Sequence, residues 1–307
     1  MFNKILAIGL DGFRIDESCW EQIKKRARKV VSLSINAPID KELDADCLLV
    51  DVLVNVDDKL ISKFPNLVYI GVFGVGYGRV DAKAAFNRNI VVTNIPGAIT
   101  ESVAEFAIAV ILAQIRDLEK ARKQAREGNY SESGFAATEL KGKVFGVFGL
   151  GRIGRRVAEL ASGFNADVRY WSRERKEGFV YSDIDDLLTD SDFVSINFAL
   201  NRDTKGFFDS KMIMAFKPDA VVVNTSPMEL FDIKALDKRL SKNNLTFIFD
   251  HSDEVKPEDL KMLARHQNCI IYPPIAYISK EAKAKKQEIF VKNLDSFIEG
   301  KAENTVR

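Results

Sequence analysis

Six residues with a regular glycine spacing, Gly149-Leu150-Gly151-Arg152-Ile153-Gly154, could bind a ligand that carries phosphate groups. The motif follows the apolar run VFGVF and opens the amphipathic segment RRVAELASGF. In a strand–turn–helix of this kind the first glycine allows the tight turn, the second lets the backbone approach a pyrophosphate, and the third lets the helix pack on the strand. The helix N-terminus then presents free N–H groups to the phosphates. The spacing predicts a dinucleotide site, with a glycine turn in a cofactor-free sheet as the alternative.

The segment after the next strand, Ser172-Arg173-Glu174-Arg175-Lys176, indicates which dinucleotide is preferred. Sites for NAD(H) place a carboxylate at this strand end, where it accepts a hydrogen bond from the ribose 2′-hydroxyl. Here Ser172 takes that place, and two arginines and a lysine follow. Because arginine pairs with phosphate in a bidentate geometry, Ser172, Arg173 and Arg175 favour NADP(H) over NAD(H). A solvated basic loop without a ligand is the alternative.

Histidine is scarce, which limits the acid–base and metal chemistry of the chain. The 307 residues contain two histidines, His251 and His266, and three cysteines without a CxxC pair. Two scattered histidines argue against a metal site and leave few groups that exchange protons near neutral pH. The widely spaced Cys19, Cys47 and Cys269 are typical of reduced thiols in a cytoplasmic protein.

The composition is that of a globular protein with a sizeable core, since 46% of the residues are hydrophobic and 29% are charged. A formal net charge of +1 gives no basic excess for nucleic acid. No apolar stretch approaches the length of a membrane span, and the initial apolar run is too short for a signal peptide. We therefore expect neither nucleic acid nor a membrane as a partner.

Apolar β-rich runs alternate with amphipathic segments, which predicts parallel sheets covered by helices. The first set of predicted strands is 4–10, 30–35, 47–54, 67–74 and 89–94, with helices such as Glu17–Lys29 between them. The second set is 144–149, 168–172, 193–199, 220–226, 245–250 and 269–274. An almost entirely apolar helix, 100–116, is capped by Thr100 and is followed by a polar stretch, 120–142. A final helix, 279–299, is expected to pack on the first set, with no strand after it.

These elements predict an α/β fold of two Rossmann-like doubly wound parallel-sheet domains, with the cofactor domain inserted into the substrate domain. The flavodoxin-like substrate domain is predicted to comprise residues 1–98 and 276–307. The NAD(P)-binding Rossmann domain is predicted to comprise residues 99–275.

Six segments together carry a resemblance to a known family. They are VFGVGYGRVD (72–81), VVTNIPGAITESVAEFA (91–107), ELKGKVFGVFGLGRIG (139–154), DIDDLLTDSDFVSINFALNRDTKGFF (183–208), FKPDAVVVNTS (216–226) and IYPPIA (271–276). Over nearly its whole length the chain resembles the D-isomer-specific 2-hydroxyacid dehydrogenases, and among them the glyoxylate/hydroxypyruvate reductases. The resemblance implies an NAD(P)-dependent oxidoreductase acting on a small carboxylate. It also implies a homodimer through the helix that starts at Thr100.

The resemblance assigns binding roles to residues in both predicted domains. The backbone amides of Val75 and Gly76 match the pair that holds the substrate carboxylate in the family, and Tyr77 and Arg79 lie beside them. Together with the glycine motif, it places cofactor contacts at Thr100, Gly149, Gly151, Arg152, Ile153, Gly154, Ser172, Arg173, Arg175, Ala199, Thr204, Thr225, Ser226 and Asp250.

At the catalytic positions, this chain departs from the family pattern. The family has an arginine that clamps the substrate carboxylate and carbonyl, and Pro227 stands at the matching position. The family has a histidine that exchanges the proton, and Pro274 stands there. The family glutamate that tunes this histidine matches Val255 in spacing, with Glu254 one residue short. Proline has neither a charge nor a titratable proton, so neither proline can perform this chemistry.

Other residues could take over the lost roles. His251 directly follows Asp250 at the end of a predicted strand, where ligands bind in such sheets, although a surface or supporting role is the alternative. Arg79 could replace the missing cation, or be an ordinary exposed arginine. Tyr77 or Tyr277 could donate a proton if a cation lay beside it, because tyrosine ordinarily titrates near pH 10.

Two hypotheses from different classes remain. The first is an NADP(H)-dependent oxidoreductase of this family with a non-standard acid–base group, for which His251, Glu254 and Tyr277 are the candidates. The second is a catalytically silent NAD(P)-binding homologue with a sensing or partner-binding role, which the two prolines favour.

Overall fold

The structure is a computed structural model that describes residues 1–12, 14–41 and 43–306. The chain divides into two compact units, one formed by Met1–Ile99 with Ser279–Arg307 and the other by Thr100–Ile278. We call them unit 1 and unit 2. The predicted fold class of two parallel-sheet α/β domains is confirmed.

The elements of the described residues alternate between strand and helix. The strands are β1 (Phe2–Ile8), β2 (Ala27–Leu33), β3 (Cys47–Asp51), β4 (Tyr69–Phe73), β5 (Val91–Thr93), β6 (Val144–Phe148), β7 (Asp167–Trp171), β8 (Val180–Tyr181), β9 (Phe193–Ile196), β10 (Val221–Asn224), β11 (Thr246–Phe249), β12 (Cys269–Ile271) and β13 (Thr305–Val306). The helices are α1 (Glu17–Lys24), α2 (Asp58–Ile61), α3 (Ala82–Asn87), α4 (Thr100–Ile115), α5 (Leu118–Arg126), α6 (Arg152–Gly163), α7 (Ile184–Asp190), α8 (Ser210–Ala215), α9 (Ile233–Leu240), α10 (Pro257–Ala264) and α11 (Lys280–Ile298). Two 3₁₀ helices cover Met228–Leu230 and Ser252–Glu254.

Unit 1 contains a six-stranded sheet in the order β13-β5-β4-β3-β1-β2. Its central strands β3 and β4 are buried at every residue, as expected for parallel strands covered on both faces. Helix α11 packs on this sheet through side chains such as Phe290, in an edge-to-face contact with Phe73. The buried Asn293 donates from Nδ2 to the Asn94 carbonyl over 2.7 Å and so ties the helix to the chain after β5.

Unit 2 contains a seven-stranded parallel sheet in the order β12-β11-β10-β9-β6-β7-β8. Strand order reverses between β6 and β9, and such a switch point is where open α/β sheets bind their ligands, at the carboxyl ends of the strands. Helices α4 and α6 pack together over one face, and their buried residues include Ala104, Ala107, Val157 and Ala161.

Several predicted boundaries were wrong. The helix predicted for 17–29 ends at Lys24, because Ala27–Leu33 pairs with β1 as an edge strand. Thr100 is the first residue of α4 and not its cap, since the chain is already turning before it. The stretch 120–142, predicted only as polar, contains most of helix α5, none of whose residues is buried.

The prediction that no strand follows the last helix was also wrong. The chain continues into β13, which pairs antiparallel with β5 through Thr305↔Thr93 and Val306↔Val92. Two residues are too short for a periodic signal, so only the free edge of β5 determines this strand.

Candidate functional site

The glycine turn after β6 has the geometry that the motif predicts. Gly149 has φ +89°, and a Cβ there would lie 2.9 Å from the Asn197 carbonyl oxygen. Gly151 precedes α6, and nothing lies within 4 Å of where its Cβ would be. A Cβ on Gly154 would lie 1.9 Å from the Gly149 carbonyl oxygen, so only glycine allows α6 to begin this close to the turn. Open space before a helix N-terminus suits a phosphate group.

A pocket of about 450 Å³ lies beside this turn. Its lining residues are Gly149, Leu150, Gly151, Trp171, Ser172, Arg173, Glu174, Lys176, Phe198, Asn201, Asp203, Thr204 and Phe207. It brings together five residues that the sequence predicted for the cofactor, namely Gly149, Gly151, Ser172, Arg173 and Thr204. The glycine geometry, the open helix start and the size of the pocket fit a dinucleotide.

The sequence reasoning did not find the aromatic wall of this pocket. The Trp171 and Phe207 rings lie 5.2 Å apart, and Phe198 meets Phe207 edge-to-face at 5.0 Å. Trp171 ends β7, and Phe198 follows β9 closely. An aromatic residue at a strand end beside the glycine turn is the signal that could have found this wall.

Charges of both signs line the part of the pocket at the end of β7. Ser172 is buried, and its Oγ donates to the Glu174 carbonyl over 2.6 Å. The Arg173 guanidinium donates to Asp203 Oδ2 over 2.9 Å, with both side chains largely exposed. Lys176 Nζ donates to the Leu150 carbonyl over 3.0 Å. The two cations therefore share this region with the carboxylates of Glu174 and Asp203.

Arg175, a predicted cofactor residue, has a different neighbour. Its guanidinium lies over the Tyr181 ring, 4.4 Å from the centroid, and Arg175 is not among the residues that line the pocket. Thr204 holds the loop after β9, because its Oγ1 donates to the Ala199 carbonyl over 2.7 Å. The Asn201 N–H donates to the same Oγ1 over 2.8 Å.

The other predicted cofactor residues lie at element ends in unit 2. Arg152 and Ile153 begin α6, and Thr100 begins α4. Ser226 follows β10, is buried, and donates from Oγ to the Ile196 carbonyl over 3.2 Å. Thr225 precedes Ser226, and its backbone carbonyl oxygen lies within hydrogen-bond distance of His251.

His251 and Glu254 face each other after β11. The 3₁₀ turn Ser252–Glu254 places Glu254 Oε2 3.5 Å from His251 Nδ1. His251 Nε2 lies 3.2 Å from the Thr225 carbonyl oxygen and 4.0 Å from Asp250 Oδ1. Burial acts to lower the pKa of His251, but the Glu254 hydrogen bond and the charges of Asp250 and Glu254 outweigh it and raise the pKa above the ordinary 6.5.

Asp250 is a buried carboxyl group beside this imidazole. Its Oδ2 accepts a hydrogen bond from the Ala276 N–H over 2.9 Å, while Oδ1 accepts none from any residue that the structure describes. Burial raises the pKa of Asp250, and the Ala276 hydrogen bond opposes that shift. Asp250 thereby anchors the segment that continues into the half-buried Tyr277.

In unit 1, Val75 follows β4 by two residues. Its carbonyl accepts a hydrogen bond from Asn94 Nδ2 over 2.5 Å. The loop after it is exposed at Gly76 and Tyr77. Arg79 is exposed too, and its Nη1 donates to the Leu53 carbonyl over 3.2 Å. Arg79 therefore links two neighbouring loops.

Comparison with known proteins identifies the family. Residues 108–276, more than half of the chain, match the model of the D-isomer specific 2-hydroxyacid dehydrogenase NAD-binding domain. The chain belongs to the D-isomer-specific 2-hydroxyacid dehydrogenase family. It is 33% identical to a glyoxylate reductase of Thermococcus litoralis over 85% of this chain and 83% of the relative. It is 31% identical to a glyoxylate reductase of Aeropyrum pernix, over 86% of this chain and 83% of that one.

Two solved structures have the same fold as this chain. An acyclic imino acid reductase in complex with NADPH and D-Arg superposes with a TM-score of 0.89 and 25% identity, over 99% of this chain and 100% of that one. A D-lactate dehydrogenase from Aquifex aeolicus, in complex with NAD and lactic acid, has a TM-score of 0.83 at 24% identity, over 97% and 96% of the two chains. The latter likeness supports the fold alone. The predicted family and a nicotinamide cofactor are thus confirmed.

Within this family, the two predicted departures lie in unit 2. Pro227 is half-buried and precedes the 3₁₀ helix Met228–Leu230. Asn224, at the end of β10, donates from Nδ2 to the Ser226 carbonyl over 2.7 Å and closes the turn before Pro227. Pro274 follows β12 and is also half-buried. The described residues contain no cluster of three or more metal-binding side chains, and no described helix is long and apolar enough to cross a bilayer.

Proposed function

We propose that this protein is an NADP(H)-dependent reductase of small 2-oxo acids in which His251 exchanges the proton. The observation that carries the proposal is the group formed by His251, Glu254 and Asp250. This group follows β11, and the glycine turn follows β6 in the same parallel sheet, so both lie at its carboxyl edge.

The chain's own residues suit proton transfer. The glycine turn of residues 149–154 would hold a reduced nicotinamide dinucleotide, which would supply the hydride that reduces the substrate carbonyl. Glu254 faces Nδ1 of His251 and fixes the ring. Nε2, which lies 3.2 Å from the Thr225 carbonyl oxygen, is then the nitrogen that would exchange this hydrogen bond for one to the substrate carbonyl oxygen and give it a proton. The carboxylates of Glu254 and Asp250 raise the pKa of His251 and so favour the protonated imidazole that a proton donor needs. The product is the 2-hydroxy acid.

Substrate binding is assigned to unit 1. We propose that the backbone amides of Val75 and Gly76 hold the substrate carboxylate, with Tyr77 at the exposed tip of the loop. Arg79 donates a hydrogen bond to the Leu53 carbonyl, so that it stabilises the conformation of this loop and adds positive charge beside it. The proposal further includes a cytoplasmic homodimer through α4, whose residues are apolar on nearly every face.

The preference for NADP(H) rests on the end of β7. Ser172 occupies the place where an NAD(H) site has a carboxylate, and Arg173 and Lys176 line the pocket nearby. Arg173 is already paired with Asp203. When a 2′-phosphate binds, this ion pair must break so that Arg173 can form a bidentate contact with the phosphate. Exposed ion pairs contribute little free energy, so breaking the Arg173–Asp203 pair costs little.

Titration of the purified protein with NADPH and NADH tests this preference. We expect the wild-type protein to bind NADPH more tightly than NADH. Arg173→Ala should weaken NADPH binding by roughly tenfold to a hundredfold, which is the effect of one lost charged hydrogen bond. The affinity for NADH should change little. Arg265→Ala is the matched control, because Arg265 is also an exposed arginine paired with a carboxylate, that of Asp237. Equal affinity of the wild-type protein for both cofactors would contradict the assignment.

A second function has its own supporting observation. Because Pro227 and Pro274 stand at the positions that the resemblance assigns to the catalytic arginine and histidine, the chain could bind the dinucleotide without turnover, as a sensor or through a protein partner. Tight NADPH binding without oxidation by any 2-oxo acid would favour this function over the reductase.

A further inference from the structure

The chain after β5 holds two successive carbonyl groups of the loop that follows β4. The Ile95 N–H donates to the Gly74 carbonyl over 3.0 Å. The Asn94 side chain donates from Nδ2 to the Val75 carbonyl over 2.5 Å. Both donor residues are buried, whereas the loop becomes exposed at Gly76. The two carbonyls are therefore bound on the buried side of the loop.

The direction of these carbonyls determines the direction of two N–H groups. The peptide units here are trans and planar, so the C=O and the N–H of one unit point in opposite directions. The Gly74 carbonyl shares its unit with the Val75 N–H, and the Val75 carbonyl shares its unit with the Gly76 N–H. Neither N–H donates to an acceptor among the residues that the structure describes. Both N–H groups thus point away from the chain after β5 and remain open to a ligand.

The main chain of Asn94 is fixed by the carboxy-terminal part of unit 1. Its N–H donates to the Asn304 carbonyl over 3.2 Å. Its carbonyl accepts a hydrogen bond over 2.7 Å from Nδ2 of Asn293, a fully buried residue of α11. Asn304 Nδ2 in turn donates to Asn293 Oδ1 over 2.8 Å. Three asparagines from distant parts of the sequence thus place one N–H donor at the Val75 carbonyl.

We propose that Asn94 is a positioning residue for the substrate carboxylate, because its side chain holds the Gly76 N–H in the orientation that binds that group. This role rests on the proposed reductase function, in which the Val75 and Gly76 amides bind the carboxylate. The hydrogen bond to the Val75 carbonyl also polarises the peptide unit, which makes the Gly76 N–H a stronger donor. An interaction that holds the carboxylate equally well before and during the reaction lowers KM and leaves kcat unchanged.

Steady-state kinetics with glyoxylate at saturating NADPH tests this role. Asn94→Leu removes the N–H donor and keeps a similar volume, while the main-chain bonds of this position to Asn293 and Asn304 are retained. We expect KM for glyoxylate to rise about tenfold to a hundredfold, the effect of one weakened charged hydrogen bond, with little change in kcat. Asn94→Ser, whose hydroxyl stops one bond short of the Nδ2 position, is a smaller change that should also raise KM.

Asn268→Leu is the matched control for the loss of a buried amide. Asn268 is half-buried, and its Nδ2 donates to the Leu240 and Leu245 carbonyls over 3.1 and 2.7 Å in unit 2. The same chemical change there should leave KM for glyoxylate unchanged. A wild-type KM in both Asn94 variants, or an equal rise in Asn268→Leu, overturns the positioning role and leaves the reductase function standing.

Nuclear magnetic resonance with glycine-specific ¹⁵N labelling separates this inference from the reductase function. The chain has 18 glycines, and the signal that is lost in Gly76→Ala identifies Gly76. Oxamate should shift this signal in the NADP⁺-loaded protein, and Asn94→Leu should weaken oxamate binding at least about tenfold where Asn268→Leu does not. This pattern without turnover of any 2-oxo acid contradicts the reductase function and supports the carboxylate site with Asn94 as its positioning residue. A Gly76 signal that oxamate leaves unmoved overturns the site and the role of Asn94.

Discussion

The pKa of His251 is raised by carboxylates that are close to it in sequence. Residues one turn of a 3₁₀ helix apart lie above one another, and the Ser252–Glu254 turn therefore brings the Glu254 carboxylate to His251. The sequence named both residues but placed Glu254 one position short of the family spacing. The conformation of this turn, which residue order alone does not fix, makes Glu254 a neighbour of the imidazole.

Glu254→Gln tests how the carboxylate acts on the imidazole. The protonated imidazole is the proton donor, so kcat/KM for reduction is retained below the raised pKa of His251 and is lost as pH rises through it. Loss of the Glu254 charge lowers that pKa, and we expect the alkaline limb of the pH profile to move to lower pH. Glu258→Gln, an exposed change on α10, is the control and should leave the limb in place. An unmoved limb in Glu254→Gln would show that Glu254 does not set the pKa.

At the scale of elements, the glycine turn was predictable in detail because local sterics determine it. The contact between Gly154 and the Gly149 carbonyl, for instance, is a property of a strand–turn–helix of this spacing. The end of α1 and the short β13 were not predictable, because pairing with β1 and β5 decides them. Such pairings depend on the assembled sheet.

Gly154→Ala tests whether this contact fixes the start of α6. The added methyl group meets the Gly149 carbonyl, so the turn must shift; we expect a loss of roughly 1–3 kcal/mol in the free energy of unfolding and much weaker NADPH binding. Gly163→Ala at the other end of α6 has open space and should be neutral or stabilising by up to about 1 kcal/mol. Urea unfolding and cofactor titration measure both effects. Wild-type stability and NADPH affinity in Gly154→Ala would refute this account of the turn.

At the scale of the whole molecule, two rounds of alternating strands and helices predicted two parallel sheets. The charged groups around the sites were harder to predict, because their members come from distant parts of the sequence. Asp203 meets Arg173 through the loop after β9, and Arg14, in the segment after β1, pairs with Asp51 at the end of β3 in unit 1. A motif search finds the glycine turn but has no rule that pairs such residues.

Oxidation of NADPH by 2-oxo acids, compared between the wild-type protein and His251→Asn, tests the central proposal most directly. Asparagine keeps polarity at the site but has no titratable proton. We expect turnover by the wild-type protein and a loss of roughly 10²–10⁴-fold in kcat for the variant, the usual contribution of a general acid, with NADPH affinity retained. NADPH that binds tightly yet is oxidised by no 2-oxo acid, or full activity in His251→Asn, would contradict the account.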